Sequence, residues 1–251
     1  MFRDDRRGVS EVIGFVLVFS LVIASVGIVF TVGLSGLQDA RNTERVNNAE
    51  RAFDVLAENH RDVLAGTPTR STQIRLSDAD IRASDTVDFE VHDVAGNTTA
   101  SWRVTSIVFA VDDESIRFVN GAVIRESRDG AVMIKGPPGV VGADQALFQD
   151  VTFKNDGPAG VGGDRTVQIR IEHRSNPDNV GATSYENTTD RRMSILTDRP
   201  DPWRVHYEDR GLACTVDENI ADDDRARVTC ELDELDRFVV VDQGSIAFTF
   251  E

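Results

Sequence analysis

The residues that could do chemistry are few. At Arg6-Arg7-Gly8-Val9-Ser10-Glu11 a charged leader meets an apolar stretch at a glycine, and the chemistry to weigh there is cleavage of one peptide bond. A secretory signal would be cut behind the apolar stretch, but its apolar core spans roughly 7 to 15 residues and ends at a small-residue exit. This run is longer and no A-x-A-like exit follows it. On the residues alone, an uncut signal anchor and a cut placed before the run, between Gly8 and Val9, both stay open.

Cys214 and Cys230 are the two cysteines. A disulfide between them would close a loop of about 15 residues and add roughly 3 kcal/mol; two buried thiols on neighbouring strands are the alternative. Two thiols alone are an incomplete zinc site. Asn97-Thr98-Thr99 and Asn187-Thr188-Thr189 match the N-glycosylation acceptor pattern, both in polar segments between expected strands. His60, His92, His173 and His206 are scattered, and Asp217, Glu218 and Asp222-Asp223-Asp224 lack the alternation and glycine of an EF-hand loop. The chain has no G-x-S-x-G, G-x-x-x-x-G-K-[ST], H-E-x-x-H or C-x-x-C pattern. The expectation is therefore a protein that is not an enzyme, with no catalytic residue, no metal and no cofactor.

The element that positions the leader is the apolar stretch itself. Residues Val12 to Leu37 carry no charge, and as a helix they span about 39 Å at 1.5 Å per residue, enough to cross a bilayer. Arg3, Arg6 and Arg7 precede the span while Gln38-Asp39-Ala40 follow it. The positive-inside rule then leaves the N-terminus in the cytoplasm and the rest of the chain outside. Ser20, Ala24 and Gly27 recur at steps of four and three, a spacing that lets another helix backbone approach closely.

The basic pair Arg6 and Arg7, Gly8 at the junction, Ser10, and Val12-Ile13-Gly14 together resemble the class III signal of type IV pilins, archaellins and archaeal pilin-like subunits. The likeness covers roughly the first 40 residues. It implies that a prepilin peptidase cuts after Gly8 and that the freed helix, starting at Val9, packs with the same helix of itself or of other pilin-like subunits in a filament core. Bacterial type IV pilins usually carry their glutamate at the fifth mature position, whereas Glu11 would be the third. There a carboxylate is favoured by the helix N-terminus and could meet the new α-amino group of a neighbour, or simply sit at headgroup depth.

Beyond the span, Val46, Ala49, Phe53, Leu56, His60 and Val63 recur at steps of three and four among polar residues, the pattern of an amphipathic helix. That apolar stripe needs a cover, either the globular part or sister helices. Either this helix continues the span or it is a separate one after a hinge near residues 33–38. Gly66-Thr67-Pro68 ends it.

From there to the end, short apolar-polar runs alternate with turn residues, and strands are expected at Gln73–Leu76, Thr86–Val91, Trp102–Val111, Ser115–Val119, Ala122–Arg125, Ala131–Lys135, Ala146–Phe153, Thr166–Glu172, Trp203–Tyr207, Arg227–Leu232, Phe238–Val241 and Ser245–Phe250. Gly121–Lys135 reads as a hairpin turning at Asp129-Gly130. The fold class expected is α+β, a long N-terminal helix followed by a mainly antiparallel β-sandwich. The organisation expected is a leader (1–8), a transmembrane or filament-core helix (9–37), an amphipathic stalk (38–66) and an extracellular β domain (69–251).

Charge bears on partners. The chain has 43 acidic and 27 basic residues, net −16, and among the basic ones only Lys135 and Lys154 are lysine. Such a surface repels nucleic acid and anionic lipid headgroups, so nucleic acid is not an expected partner. Abundant carboxylates with arginine in place of lysine resemble proteins of extremely halophilic archaea, where salt screens the repulsion. The expected location is the cell membrane, single-pass, with the β domain displayed outside.

Overall fold

The computed structural model describes residues 6–93, 95–142, 144–174, 181–186, 191–220, 225–233 and 235–251, with residues 6–11, 33–35 and 39 by backbone alone. Helix α1 (Arg6–Leu64) is followed by β1 (Thr69–Arg75), β2 (Asp80–His92), β3 (Thr98–Val111), β4 (Glu114–Val119), β5 (Ala122–Ser127) and β6 (Gly130–Lys135). Next come β7 (Gly139–Val141), β8 (Gln145–Asn155), β9 (Gly160–Gly162), β10 (Thr166–His173), β11 (Gly181–Glu186) and β12 (Arg192–Thr197). The short helix α2 (Pro200–Glu208) then precedes β13 (Cys214–Asp217), β14 (Ala226–Glu231) and β15 (Arg237–Phe250). The architecture is α+β: one long N-terminal helix, then a largely antiparallel β domain.

The fifteen strands among the described residues belong to one hydrogen-bonded network, whose main path runs β1-β10-β15-β8-β3-β2-β12-β14-β13. Strand β8 is parallel to both β15 and β3, and the other pairs are antiparallel. Two hairpins in series, β4–β5 and β5–β6, extend from β3. The second turns at Asp129-Gly130, where the sequence placed it. The first turns on Asn120-Gly121, both with positive φ (48° and 82°), the conformation that an Asn-Gly turn adopts most readily. Gly121 is also fixed by space, since a Cβ there would lie 2.7 Å from Pro138 Cδ.

The chain divides into two compact units, one up to Glu44 and one from Arg45 to Glu251. The second unit begins inside α1, so the amphipathic part of the helix is built into the β domain. Val46, Ala49, Phe53, Leu56, Ala57, His60 and Val63 are at most 1% exposed and share one core with the sheet. His60 meets Phe118 and Phe153 edge-on, and Phe153 stacks on Phe248 at 4.8 Å between ring centroids. Charges bracket this stripe: Lys135 Nζ on β6 pairs with Asp54 and Glu58, Arg70 with Asp62, and Arg125 with Glu50. Burial pulls the Lys135 ammonium down, but its hydrogen bonds to the two carboxylates outweigh that and leave it raised; the same bond lowers Glu58. The helix ends as expected at Gly66, with φ of 105°. Gly66 N–H donates to Val63 O and Thr67 N–H to Asp62 O, both at 3.0 Å, capping two carbonyls the last turn leaves open.

Residues 33–38, where a hinge was open, are helical. Trp203–Tyr207, expected as a strand, lies in α2 instead. Pro200 and Pro202 open that helix, a position where a missing N–H costs nothing, and Trp203 and Tyr207, four apart, turn to the core together. Strand β12 was not foreseen because it is buried on both faces between β2 and β14, so its residues do not alternate. The expected strands Phe238–Val241 and Ser245–Phe250 are halves of β15, joined through a register shift.

Candidate membrane and assembly segment

Residues 12–37 are helical although Val, Ile, Phe and glycine dominate them, residues of modest or poor helix propensity in water; what suits the stretch to a helix is its charge-free apolar surface, since a helix satisfies its backbone internally where water is absent. Two of its hydroxyls are tied back to the helix. Ser25 Oγ donates to Leu21 O at 2.7 Å and Thr31 Oγ1 to Gly27 O at 2.8 Å, an arrangement that would lower the cost of these hydroxyls in an apolar medium. Among the described residues α1 is the one helix long and apolar enough to cross a membrane, with an 18-residue window of mean hydropathy 2.8 and none of it buried. Phe15 and Val29 are 71% and 72% exposed, and every residue from Val12 to Val32 is exposed.

Arg6, Arg7, Gly8 and Val9 lie in the first turn of α1. In the uncut chain Glu11 is therefore in the second turn, and no acidic residue occupies the first; a cut after Gly8 would make Glu11 the third residue. Ser20, Ala24 and Gly27 come together on one exposed face of α1, and nothing lies within 4 Å of where a Gly27 Cβ would be. This face is free for close contact with another helix.

The remaining expected residues lie in the β domain. Cys214 and Cys230 are directly opposed on β13 and β14 and joined by a disulfide, with Cα atoms 4.1 Å apart. Asn97 closes an exposed loop between β2 and β3, its side-chain N–H donating to Asp93 Oδ2 at 3.1 Å. Those bonds, with Asn97 and Ala95 backbone N–H groups on Oδ1, hold the Asp93 carboxyl below its ordinary value. Asn187 and Asp222-Asp223-Asp224 lie outside the described residues. Asp217 caps its own loop, accepting from Asn219 N–H at 3.0 Å.

The structure keeps the four histidines apart. His60 is in the core, His92 bonds Ser194 Oγ at 2.8 Å, His173 donates to Gln243 O at 3.0 Å, and His206 sits on α2. Burial, then the charge of Arg210, push His206 down to about 4. Among the described residues no group of three or more His, Cys, Asp or Glu is placed to hold a metal ion. A cleft of ≈ 500 Å³ is lined by Arg82, Asp113, Arg117, Glu126, Arg128 and Arg199 among others. Its floor is a buried ion network: Arg117 Nε to Glu126 Oε1 at 2.6 Å, Arg117 Nη2 to Asp198 Oδ2 at 3.0 Å, and Arg199 to Glu126 at 3.4 Å. Those charges neutralise one another and fasten β4 and β5 to the loop before α2. Sequence reading missed this network and the Lys135 clamp. A lysine in a chain with only two was the one signal that pointed to the clamp.

No curated protein and no solved structure matches the chain. The sequence model of the family of unknown function DUF7289 matches residues 7–246, from Arg7 through nearly all of the β domain, and the chain belongs to that family.

Proposed function

We propose that this protein is a pilin-like cell-surface structural subunit. Its leader is removed after Gly8 by a prepilin peptidase. Its apolar helix waits in the membrane and then packs with the same helix of other subunits, forming or priming a type IV pilus-like filament. The observation that carries this reading is the chemical split within α1: residues 46–63 complete the core of the β domain, while Val12–Val32 leave every apolar side chain exposed. At about 25 cal/mol per Å² such a surface does not stay in water; lipid or sister helices must cover it. Ser20, Ala24 and Gly27 supply the close-packing face, and Glu11 supplies a carboxylate near the new N-terminus. Three leader arginines on one side of the span and a disulfide beyond it agree with a cytoplasmic N-terminus and an exterior β domain. Asn97 is presented there as a glycan acceptor, and the acidic, lysine-poor surface suits a high-salt exterior.

The test is intact mass of the membrane-extracted protein beside a Gly8→Trp variant. Expected is a wild-type chain lacking residues 1–8, a variant retaining them, and disulfide-linked dimers from an Ala24→Cys variant, whose added thiol is the one not already bonded, only when processing occurs. A wild-type chain that keeps Met1–Gly8, together with no cross-linked dimer from Ala24→Cys, sinks the proposal and leaves a single-pass anchored envelope protein that never polymerises.

A further inference from the structure

The middle of the sheet contains a joint. Strand β15 pairs with β8 from Arg237 to Asp242 and again from Ser245 to Phe248, and the register shifts between. Its partner on the other edge changes at the same place: β11 ends its pairing at Asp242, and β10 begins at Ile246. The two residues between are Gln243, buried and accepting from His173 Nε2 at 3.0 Å, and Gly244, with φ of 70°. Asp242 Oδ1 accepts Gly244 N–H at 2.7 Å and so shapes the bulge.

At the last regular position before the joint, Asp242 stands opposite Asp150 of β8 in a parallel pair. Such partners project from the same face of strands about 4.8 Å apart, so two carboxylates lie side by side. Asp150 is half-buried and Asp242 exposed. The charged groups around them are committed elsewhere. On β10, His173 is bonded to Gln243 O; just beyond it, the Arg174 guanidinium is on Asp156 and Glu172. On β3, Arg103 is held by Asp88 at 2.5 Å; on β8 itself Lys154 is two pleats away, and β11 offers only Gly181 opposite Asp242. Among the described residues no cation pairs with either carboxylate. Burial, then the negative charge of Asp242, push Asp150 up to about 6.

We propose that Asp150 and Asp242 form a proton-sharing clasp that ties β8 to β15 across the bulge in mildly acidic surroundings and lets the joint loosen when the proton leaves. One proton taken from solvent converts the Asp150 carboxylate to the acid, whose O–H donates to Asp242 Oδ2, the oxygen that Gly244 does not use. Raising the pH returns that proton to solvent and leaves two negative charges facing each other, which repel and strain the shortest path between the halves of β15. Asp150, the more buried of the two, is the member that holds the proton.

The test is amide hydrogen exchange of residues 242–246 in the full chain in detergent, between pH 5 and pH 8, corrected for intrinsic exchange. Expected is protection about tenfold greater at pH 5 than at pH 8, the effect of one unit of differential proton affinity. Asp150→Asn and Asp242→Asn should each abolish that dependence, and the carboxyl ¹³C shift of Asp150 should titrate well above an ordinary aspartate. A flat wild-type profile overturns the clasp. So does an unchanged profile in either variant.

Discussion

The β domain should not survive without the part of α1 that precedes it. In a fragment 69–251, the core loses Val46, Phe53, Leu56 and Val63, each fully buried. At about 1.5–3 kcal/mol per side chain of this kind the loss is roughly 6–12 kcal/mol, an upper range because an unfolded chain already hides some apolar surface. Ala49 and Ala57 add to it, and Phe118 and Phe153 lose the ring of His60. Domains of this size are stable by about 5–15 kcal/mol in all, so the fragment is left near or below zero. A fragment 45–251 keeps every one of these contacts. Thermal unfolding followed by the fluorescence of Trp102 and Trp203, both in this unit, separates the two. The longer fragment should unfold in one cooperative step and the shorter should show none. If fragment 69–251 melts cooperatively within about 4 °C of the longer one, a shift corresponding to only about 1 kcal/mol, the helix is an accessory and the reasoning fails.

His60 and the disulfide give two further expectations. Burial, helped by Arg61, lowers the His60 imidazole from 6.5 to about 3, so between those values the unfolded state binds more protons than the folded one. Stability should therefore fall on acidification through this window by up to about 1.4 kcal/mol per pH unit. His60→Leu should flatten that slope and, by removing two ring nitrogens that have no hydrogen-bond partner among the described residues, raise stability at pH 7 by about 1 kcal/mol; urea midpoints across pH 4–7 that coincide for both proteins would contradict this. Replacing Cys214 and Cys230 with Ala should lower stability by about 3 kcal/mol, the loop-closure effect for their separation of 16 residues. With Cys230 fully buried, the native protein should resist mild reductant until it is partly unfolded; rapid thiol labelling under native conditions would show otherwise.

What sequence determined here is what depends on local chemistry. Charge-free length defined the span, a period of three to four defined the buried stripe of α1, and Gly66 and Asp129-Gly130 marked a helix end and a hairpin, because each follows from backbone preference or one-dimensional patterning. Period-two alternation found most of the strands that have one wet face. The same test passed over β12, which has none, and misread Trp203–Tyr207, where apolar residues four apart follow a Pro-Asp-Pro start, as β. Tertiary structure alone decided that residues 45–63 belong to the β domain, that β8 lies parallel between β3 and β15, and that Cys214 stands opposite Cys230. It alone put Asp150 beside Asp242 and Arg117 between Glu126 and Asp198. These pairings join residues that in most cases stand tens of positions apart in the chain, and no local preference encodes which distant strand becomes a neighbour; that choice is made by the packing of the whole core.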